Sequence, residues 1–486
     1  MPKDPYQKLD ATAQAALVAK GDASAKQLVE AAIARIERLE PTLNVSTSLR
    51  FEKAVKQAEA IDVTPQELRG PFAGVPFLVK DLDPLAGEPL NFGSELFRYF
   101  RAGETEPVIA AAQAAGLVAV GKSNTPEFGL ISTTEPLLHG PTRNPWDISL
   151  SPGGSSGGAA AAVASGMVPI AHATDGGGSI RIPAASCGLV GLKPSRGRGL
   201  KINRDSPGNI SVALCVSRSV RDTARFLDIS DAERARQGQE GAPEPIGFVE
   251  GAPERPLRIA LAMNATSGAA PEPEVRKAVE AAAKLCESLG HHVEEAAPAL
   301  DGELATRRFL TLWSSVADTL RKNFFMVRAY ARGLRVWTWP SYENAFDPWT
   351  RGLAEMFQRN AEAEPDQVEK AHAFIAEVER AYEAFFGSYD LLLSPVLRQS
   401  NVPLGATAPT VPFDTLMERV TDNVGYTPIF NAIGWPAVSL PLGIDGRGLP
   451  IGVQFAAPRY EEERLLRLAY QLEAAAPWAS RWPFVM

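Results

Sequence analysis

The stretch S-P-G-G-S-S-G-G at 151–158, followed by H-A-T-D-G-G-G-S-I-R at 172–181, decides the reading of this chain. Between them, A-A-A-A-V-A-S-G-M-V-P-I-A at 159–171 has the character of a small-residue helix leading into a buried strand. Ser155 and Ser179 thus each sit in a glycine-rich turn at the end of a regular element. Three glycines, Gly176, Gly177 and Gly178, reach backbone conformations closed to other residues and leave room for a substrate at the main chain. Successive N–H groups in such a turn can converge on an anion. With Ser179 at its end, the turn is expected to form an oxyanion hole from Gly176, Gly177, Gly178 and Ser179, beside its own nucleophile.

Upstream, the apolar run G-V-P-F-L-V-K-D-L at 74–82 carries Lys80 after five residues of buried-strand character. That puts its ammonium near the carboxyl end of a sheet, where open α/β folds bind ligands. A lysine serves as a base only when neutral. Moving its pKa from about 10.4 to about 7 takes about 4–5 kcal/mol of differential destabilisation of the charged form, which burial can supply. The competing reading pairs Lys80 with Asp81 or Asp83 at the surface. Gly153–Gly157 also matches G-x-S-x-G, but a nucleophile elbow needs a later acid and histidine. His172, His291, His292 and His372 lie downstream without a suggestive setting. A phosphate loop is excluded because no Gly-Lys-[Ser/Thr] follows.

Working outward, strand-like runs at 75–79, 116–120 and 168–173 alternate with helical segments. Two amphipathic helices are expected before them, broken at Gly21-Asp22 with Ser24 as an N-cap. A Pro/Gly/Glu-rich stretch at 229–256 reads as a surface excursion or linker, followed by a β-α-β unit through 257–300. Residues 300–390 read as helical and aromatic, with Trp313, Phe324, Phe325, Trp337, Trp339, Tyr342 and Trp349. Aromatics at helical spacing are weighed here as core rather than pocket. Strand-like runs return in D-L-L-L-S-P, P-A-V-S-L-P and P-I-G-V-Q-F-A-A, before a final helix. This order predicts an α/β fold: a mixed, largely parallel central sheet covered by helices on both faces. We read one domain over 1–486, with a catalytic core at 70–200 and a helical substrate-side insertion at 300–390.

The composition narrows the partners. Forty-nine basic against 57 acidic residues, well mixed, argue against nucleic acid or an anionic membrane surface as partner. Cys187, Cys215 and Cys286 form no C-x-x-C pair, which points to a reducing cytoplasm rather than a disulfide scaffold. Cys187 reads as a packed thiol and His172 as a satisfied core residue closing a strand. The polar start carries no signal-peptide pattern, and no apolar run is long enough to span a membrane. No metal-ligand spacing is present, and a homodimer is the base-rate expectation.

Together these segments make the chain resemble the amidase signature family. The match lies in Gly153–Gly158, D-G-G-G-S-I-R-I-P-A-A-S-C-G-L-V-G-L-K-P-S-R-G at 175–197 and the lysine strand. It also lies in G-K-S-N-T-P-E-F-G at 121–129, T-R-N-P-W-D at 142–147 and N-A-I-G-W-P-A-V-S-L-P-L-G at 431–443. It spans nearly the whole chain and is strongest over 70–200 and 390–475. The resemblance implies amide hydrolysis without a metal or organic cofactor, on a small-molecule amide. It implies Ser179 as the acylated nucleophile, Ser155 as a bridging serine attached to a cis peptide bond, and Lys80 as general base. Asp175 and Arg181 are expected to support the turn as an ion pair, with Ser156 beside them. S-T-T-E-P-L-L-H-G-P-T-R-N-P-W-D at 132–147 is similar to 6-aminohexanoate cyclic-dimer hydrolases of this family. The alternative, a glutamine-hydrolysing amidotransferase subunit, fits less well: such subunits usually carry Gln after the signature arginine, where this chain has Ile182.

Overall fold

Eleven strands of the described residues form one sheet: β1 (Ser46–Leu49), β2 (Pro76–Lys80), β3 (Val118–Ser123), β4 (Ile170–Asp175), β5 (Val190–Lys193), β6 (Val212–Ser217), β7 (Arg258–Leu261), β8 (His292–Glu295), β9 (Leu391–Pro395), β10 (Ala437–Ile444) and β11 (Pro450–Ala456). Their order is β1-β3-β2-β4-β6-β5-β10-β11-β9-β7-β8. The computed structural model describes residues 4–200, 210–239, 243–333 and 341–486, and of 326–333 the backbone alone.

The α/β class and the mixed sheet flanked by helices are as expected. The sheet is less parallel than the alternation of strands and helices suggested. Parallel pairing joins β2 to β3 and β4, and β7 to β8 and β9. The other six ladders are antiparallel. Apolar runs announce a buried strand but not its direction, because strands buried on both faces read alike in either sense. The stretch at 229–256 is shorter as an irregular segment than its composition implied, since the helix Val220–Arg236 runs into it. The N-terminal pair, Ala11–Lys20 and Ala25–Leu43, is present as read. Ser24 and Gln27 close a reciprocal capping box at the start of the second helix. Trp337, Trp339 and residues 201–209 lie outside the described residues.

What matters for function is the end of the sheet at which β2 and β4 finish. They are neighbours in parallel register, with Phe77 opposite Ile170 and Leu78 opposite Ala171. Lys80 and Asp175 therefore emerge from the same edge. The helix Gly157–Ala164 connects backwards to β4, so its start returns to that edge too. All eight of its residues are Gly, Ala or Val and all are buried, which lets it lie close against the sheet.

Candidate active site

Lys80 is fully buried at the end of β2. Its Nζ lies within hydrogen-bond distance of three hydroxyls, Ser155 Oγ at 2.8 Å, Ser156 Oγ at 2.7 Å and Thr174 Oγ1 at 3.0 Å. The surface pairing with Asp81 is not what forms. The buried Asp81 carboxylate faces Lys122 at 3.1 Å, and Lys122 also donates to the Asp83 carbonyl at 2.7 Å. Lys122 thus occupies the carboxylate side, while Lys80 reaches the hydroxyl cluster. The Gly154–Ser155 peptide is cis. A Cβ on Gly154 would stand 2.3 Å from the Thr133 carbonyl oxygen, so only glycine fits there.

The second turn is fixed from beneath by Asp175, the last residue of β4. Its carboxylate accepts from the Gly178 N–H at 2.7 Å and the Ile180 N–H at 3.2 Å. It also holds the Arg181 guanidinium through Nε at 2.9 Å and Nη2 at 3.0 Å. Arg181 spends its remaining donors on the Thr427 carbonyl, Gln454 Oε1 and Asn431 Oδ1. All five of its N–H groups are matched, which is what full burial of a guanidinium requires. Burial alone would raise the Asp175 carboxyl, but Arg181, Lys193 and the Asn431 amide hold it well below the usual carboxylate range. Ser156 Oγ, beside Lys80 Nζ, donates to the Thr174 carbonyl at 3.3 Å.

One member of the expected oxyanion set is corrected. The Gly178 N–H is taken by Asp175, so it serves the turn rather than an incoming oxygen. Gly178 has φ +133°, and a Cβ there would lie 2.3 Å from Thr427 Oγ1. Thr427 Oγ1 in turn donates to the Gly177 carbonyl at 2.7 Å, pinning the turn from its other side. Among the described residues the N–H groups of Gly177 and Ser179 meet no protein acceptor, and both residues line a cavity of about 90 Å³.

That cavity is apolar. Ile131, Ile182, Phe309, Trp313, Trp349 and Val420 form much of its wall, and among the described residues none that lines it is charged. The polar side chains in it belong to serines and threonines. Trp349 belongs to a buried core cluster against which Trp313 packs, as weighed from sequence, and both also line the cavity. Their indoles both donate to the Leu130 carbonyl, at 3.1 and 2.8 Å, and Phe309 stacks on Trp313 at 5.7 Å between ring centroids. Phe324 and Tyr342 do belong to a separate core cluster. Cys187 is a packed thiol as read, pushed up by burial. His172 lies inside β4 rather than at its end.

Sequence reasoning missed Thr174, Thr427, Asn431 and Gln454. Asn431 Nδ2 donates to the Asp175 carbonyl and carboxylate, both at 2.9 Å. Its only signal was its place at the head of the N-A-I-G stretch.

A family model described as Amidase matches residues 27–466. The chain is 38% identical over 479 residues to a Mycobacterium tuberculosis (strain H37Rv) protein carrying the amidase name AmiC, covering 97% of this chain and 95% of that one. It is 36% identical over 505 residues to the 6-aminohexanoate-cyclic-dimer hydrolase of Paenarthrobacter ureafaciens, covering 98% and 96%. A solved structure of 6-aminohexanoate cyclic dimer hydrolase complexed with substrate superposes with TM-score 0.82 at 31% identity, covering 99% of each chain.

Proposed function

The chain belongs to the amidase signature family and is an amide hydrolase, and from that premise we propose that Ser179 carries the acyl group, with Ser155 and Lys80 moving the proton. The observation that carries this reading is the buried Lys80 Nζ at 2.8 Å from Ser155 Oγ. Neutral Lys80 accepts the Ser155 proton as Ser155 accepts that of Ser179, whose oxygen attacks the carbonyl. Gly154, which precedes Ser155, lines the same cavity as Ser179. The N–H groups of Gly177 and Ser179 take the developing oxyanion. When the C–N bond breaks, the relay runs backwards and protonates the amine. Water then repeats the sequence on the ester, releasing the carboxylate.

The substrate is read from the cavity wall. An acyl group lying among Ile131, Ile182, Phe309 and Trp313 leaves water and, among the described residues, meets no charged side chain in the wall. An uncharged apolar acyl chain, alkyl or aryl, suits this wall, as does a neutral cyclic amide. Glutamine, whose α-ammonium and α-carboxylate would both need partners, does not. We also place the enzyme in a reducing compartment, the cytoplasm, because Cys187, Cys215 and Cys286 are free and buried.

The test compares phenylacetamide with glutamine on the purified chain. Leaving charge unpaired in an apolar site costs several kcal/mol, so kcat/KM is expected to favour phenylacetamide by at least about 1,000-fold. Equal values, or a preference for glutamine, would overturn the apolar assignment and restore the amidotransferase reading.

A further inference from the structure

Behind Lys80, on the other face of the sheet, lie buried ionisable side chains that the relay does not use. Successive strand residues point to opposite faces. Lys80, opposite Ser123 in the β2–β3 ladder, and Lys122, opposite Val79, therefore leave the sheet on opposite sides. On one side Lys80 reaches the hydroxyls of Ser155, Ser156 and Thr174. On the other, Lys122 faces the Asp81 carboxylate at 3.1 Å and donates to the Asp83 carbonyl at 2.7 Å. The Asp81 carboxylate also accepts from the Asn91 N–H at 3.2 Å. His172, on β4, lies 3.7 Å from the Asp83 carboxylate. None of these four side chains is more than 1% exposed. A buried ion pair is often no better for stability than apolar residues of the same volume, so the fold alone does not call for this one.

The place of the pair gives it a role. Asp81 directly follows Lys80, and an ionised carboxylate so close favours the ammonium form of the lysine, which cannot accept a proton. Lys122 opposes this twice. Its ammonium balances the Asp81 charge, and as a neighbouring cation it disfavours a second positive charge on Lys80. The other charged groups around the strand end have partners of their own. Asp175 is held by Arg181, and Asp83 lies beside His172. On the helix Ala25–Leu43, Arg35 is paired with Asp4, and Glu40 accepts from Ser46. Glu106 borders the turn after β2, its N–H donating to the Pro84 carbonyl. We infer that Lys122 is a positioning residue for the reaction, which engages Asp81 on the far face of the sheet and so keeps Lys80 in its neutral, proton-accepting form. This rests on Lys80 as the base proposed above.

The experiment records kcat/KM for phenylacetamide against pH, whose acid limb reports the base of the free enzyme. It compares wild type with Lys122→Met, Asp81→Asn and the double variant. Lys122→Met leaves the Asp81 carboxyl without its cation. Its acid limb is expected at least about one pH unit above that of wild type, a loss of about tenfold below the limb that recovers as pH rises. Removing the carboxylate as well should return the limb of the double variant to within about 0.3 units of wild type. Asp81→Asn alone leaves the ammonium unbalanced, and its limb is expected below that of wild type. A lowered plateau with an unmoved limb in Lys122→Met would mean that Lys122 only holds the strands together, and overturns the inference. So does a double variant that stays shifted. If Lys122→Met does not fold, Asp81→Asn decides, and a limb at or above the wild-type position overturns the inference. Lys80→Met tells this failure apart from that of the relay. A Lys80→Met enzyme that keeps the wild-type limb removes the base and this inference with it. Loss of the limb there, with an unmoved limb in Lys122→Met, overturns this inference alone.

Discussion

Lys80→Met is expected to lower kcat on a primary amide by at least about 1,000-fold while leaving the fold and KM close to wild type. General-base catalysis by a positioned side chain contributes about 100- to 10,000-fold, and the proposed relay uses this lysine for the outgoing proton as well as the incoming one. Methionine keeps the length and apolar stem, so packing at the end of β2 is conserved. Only the contacts to Ser155, Ser156 and Thr174 are lost. The pH profile supplies the discriminating readout. If Lys80 is the base as proposed, the wild type is expected to lose activity toward low pH, because an ammonium has no lone pair to accept the Ser155 proton. The variant should have lost that acid limb. A Lys80→Met enzyme within tenfold of wild type, with the same limb, would mean that another group is the base.

The second large effect is on stability. Arg181→Met should destabilise the protein by about 3–5 kcal/mol, because it strands a buried carboxylate without its partner. It also orphans the Thr427 carbonyl, Gln454 Oε1 and Asn431 Oδ1. The sign of the pH dependence identifies the cause. In the wild type the Asp175 carboxyl is held below its unfolded value. Its contribution is therefore complete above pH 4 and lost only as pH falls through the lowered folded value. Without Arg181, burial is opposed only by Lys193, the Asn431 amide and the N–H groups of the turn, and the folded value is expected to rise above the unfolded one. The variant then loses stability as pH rises out of the carboxylate range. Urea unfolding should give a smaller deficit at pH 4 than at pH 7. A deficit below 1 kcal/mol, or one larger at pH 4, would contradict this account of the ion pair.

These two sites differ in how visible they were in the sequence. Lys80, Ser155 and Ser179 stood out because their chemistry demands unusual local surroundings. Glycine density, and a lysine closing an apolar run, are rare enough to be read one segment at a time. Asp175 and Arg181 were readable as a pair because they are six residues apart. Thr427, Asn431 and Gln454 come from about 250 residues or more further along. Nothing in their own segments marks them as ligands of that guanidinium. Trp313 and Trp349 show another limit, since helical spacing marks a residue as inward-facing without saying whether it meets side chains or a cavity. The strand runs were readable for the same reason that β-direction was not. Burial writes apolar residues into a strand, whereas parallel or antiparallel pairing is set by connections elsewhere in the chain. The four-residue β1, nowhere fully buried, lacked even that signature.

The central claim is that Ser179 is the nucleophile and that Lys80 activates it. It is tested most directly by intact mass after a fluorophosphonate treatment, with peptide mapping of the adduct, on wild type, Ser179→Ala and Lys80→Met. The account predicts one adduct per chain, mapped to Ser179, absent in Ser179→Ala and slowed by at least about 100-fold in Lys80→Met. An adduct on Ser155, or one on Ser179 that forms at the wild-type rate without Lys80, would contradict it.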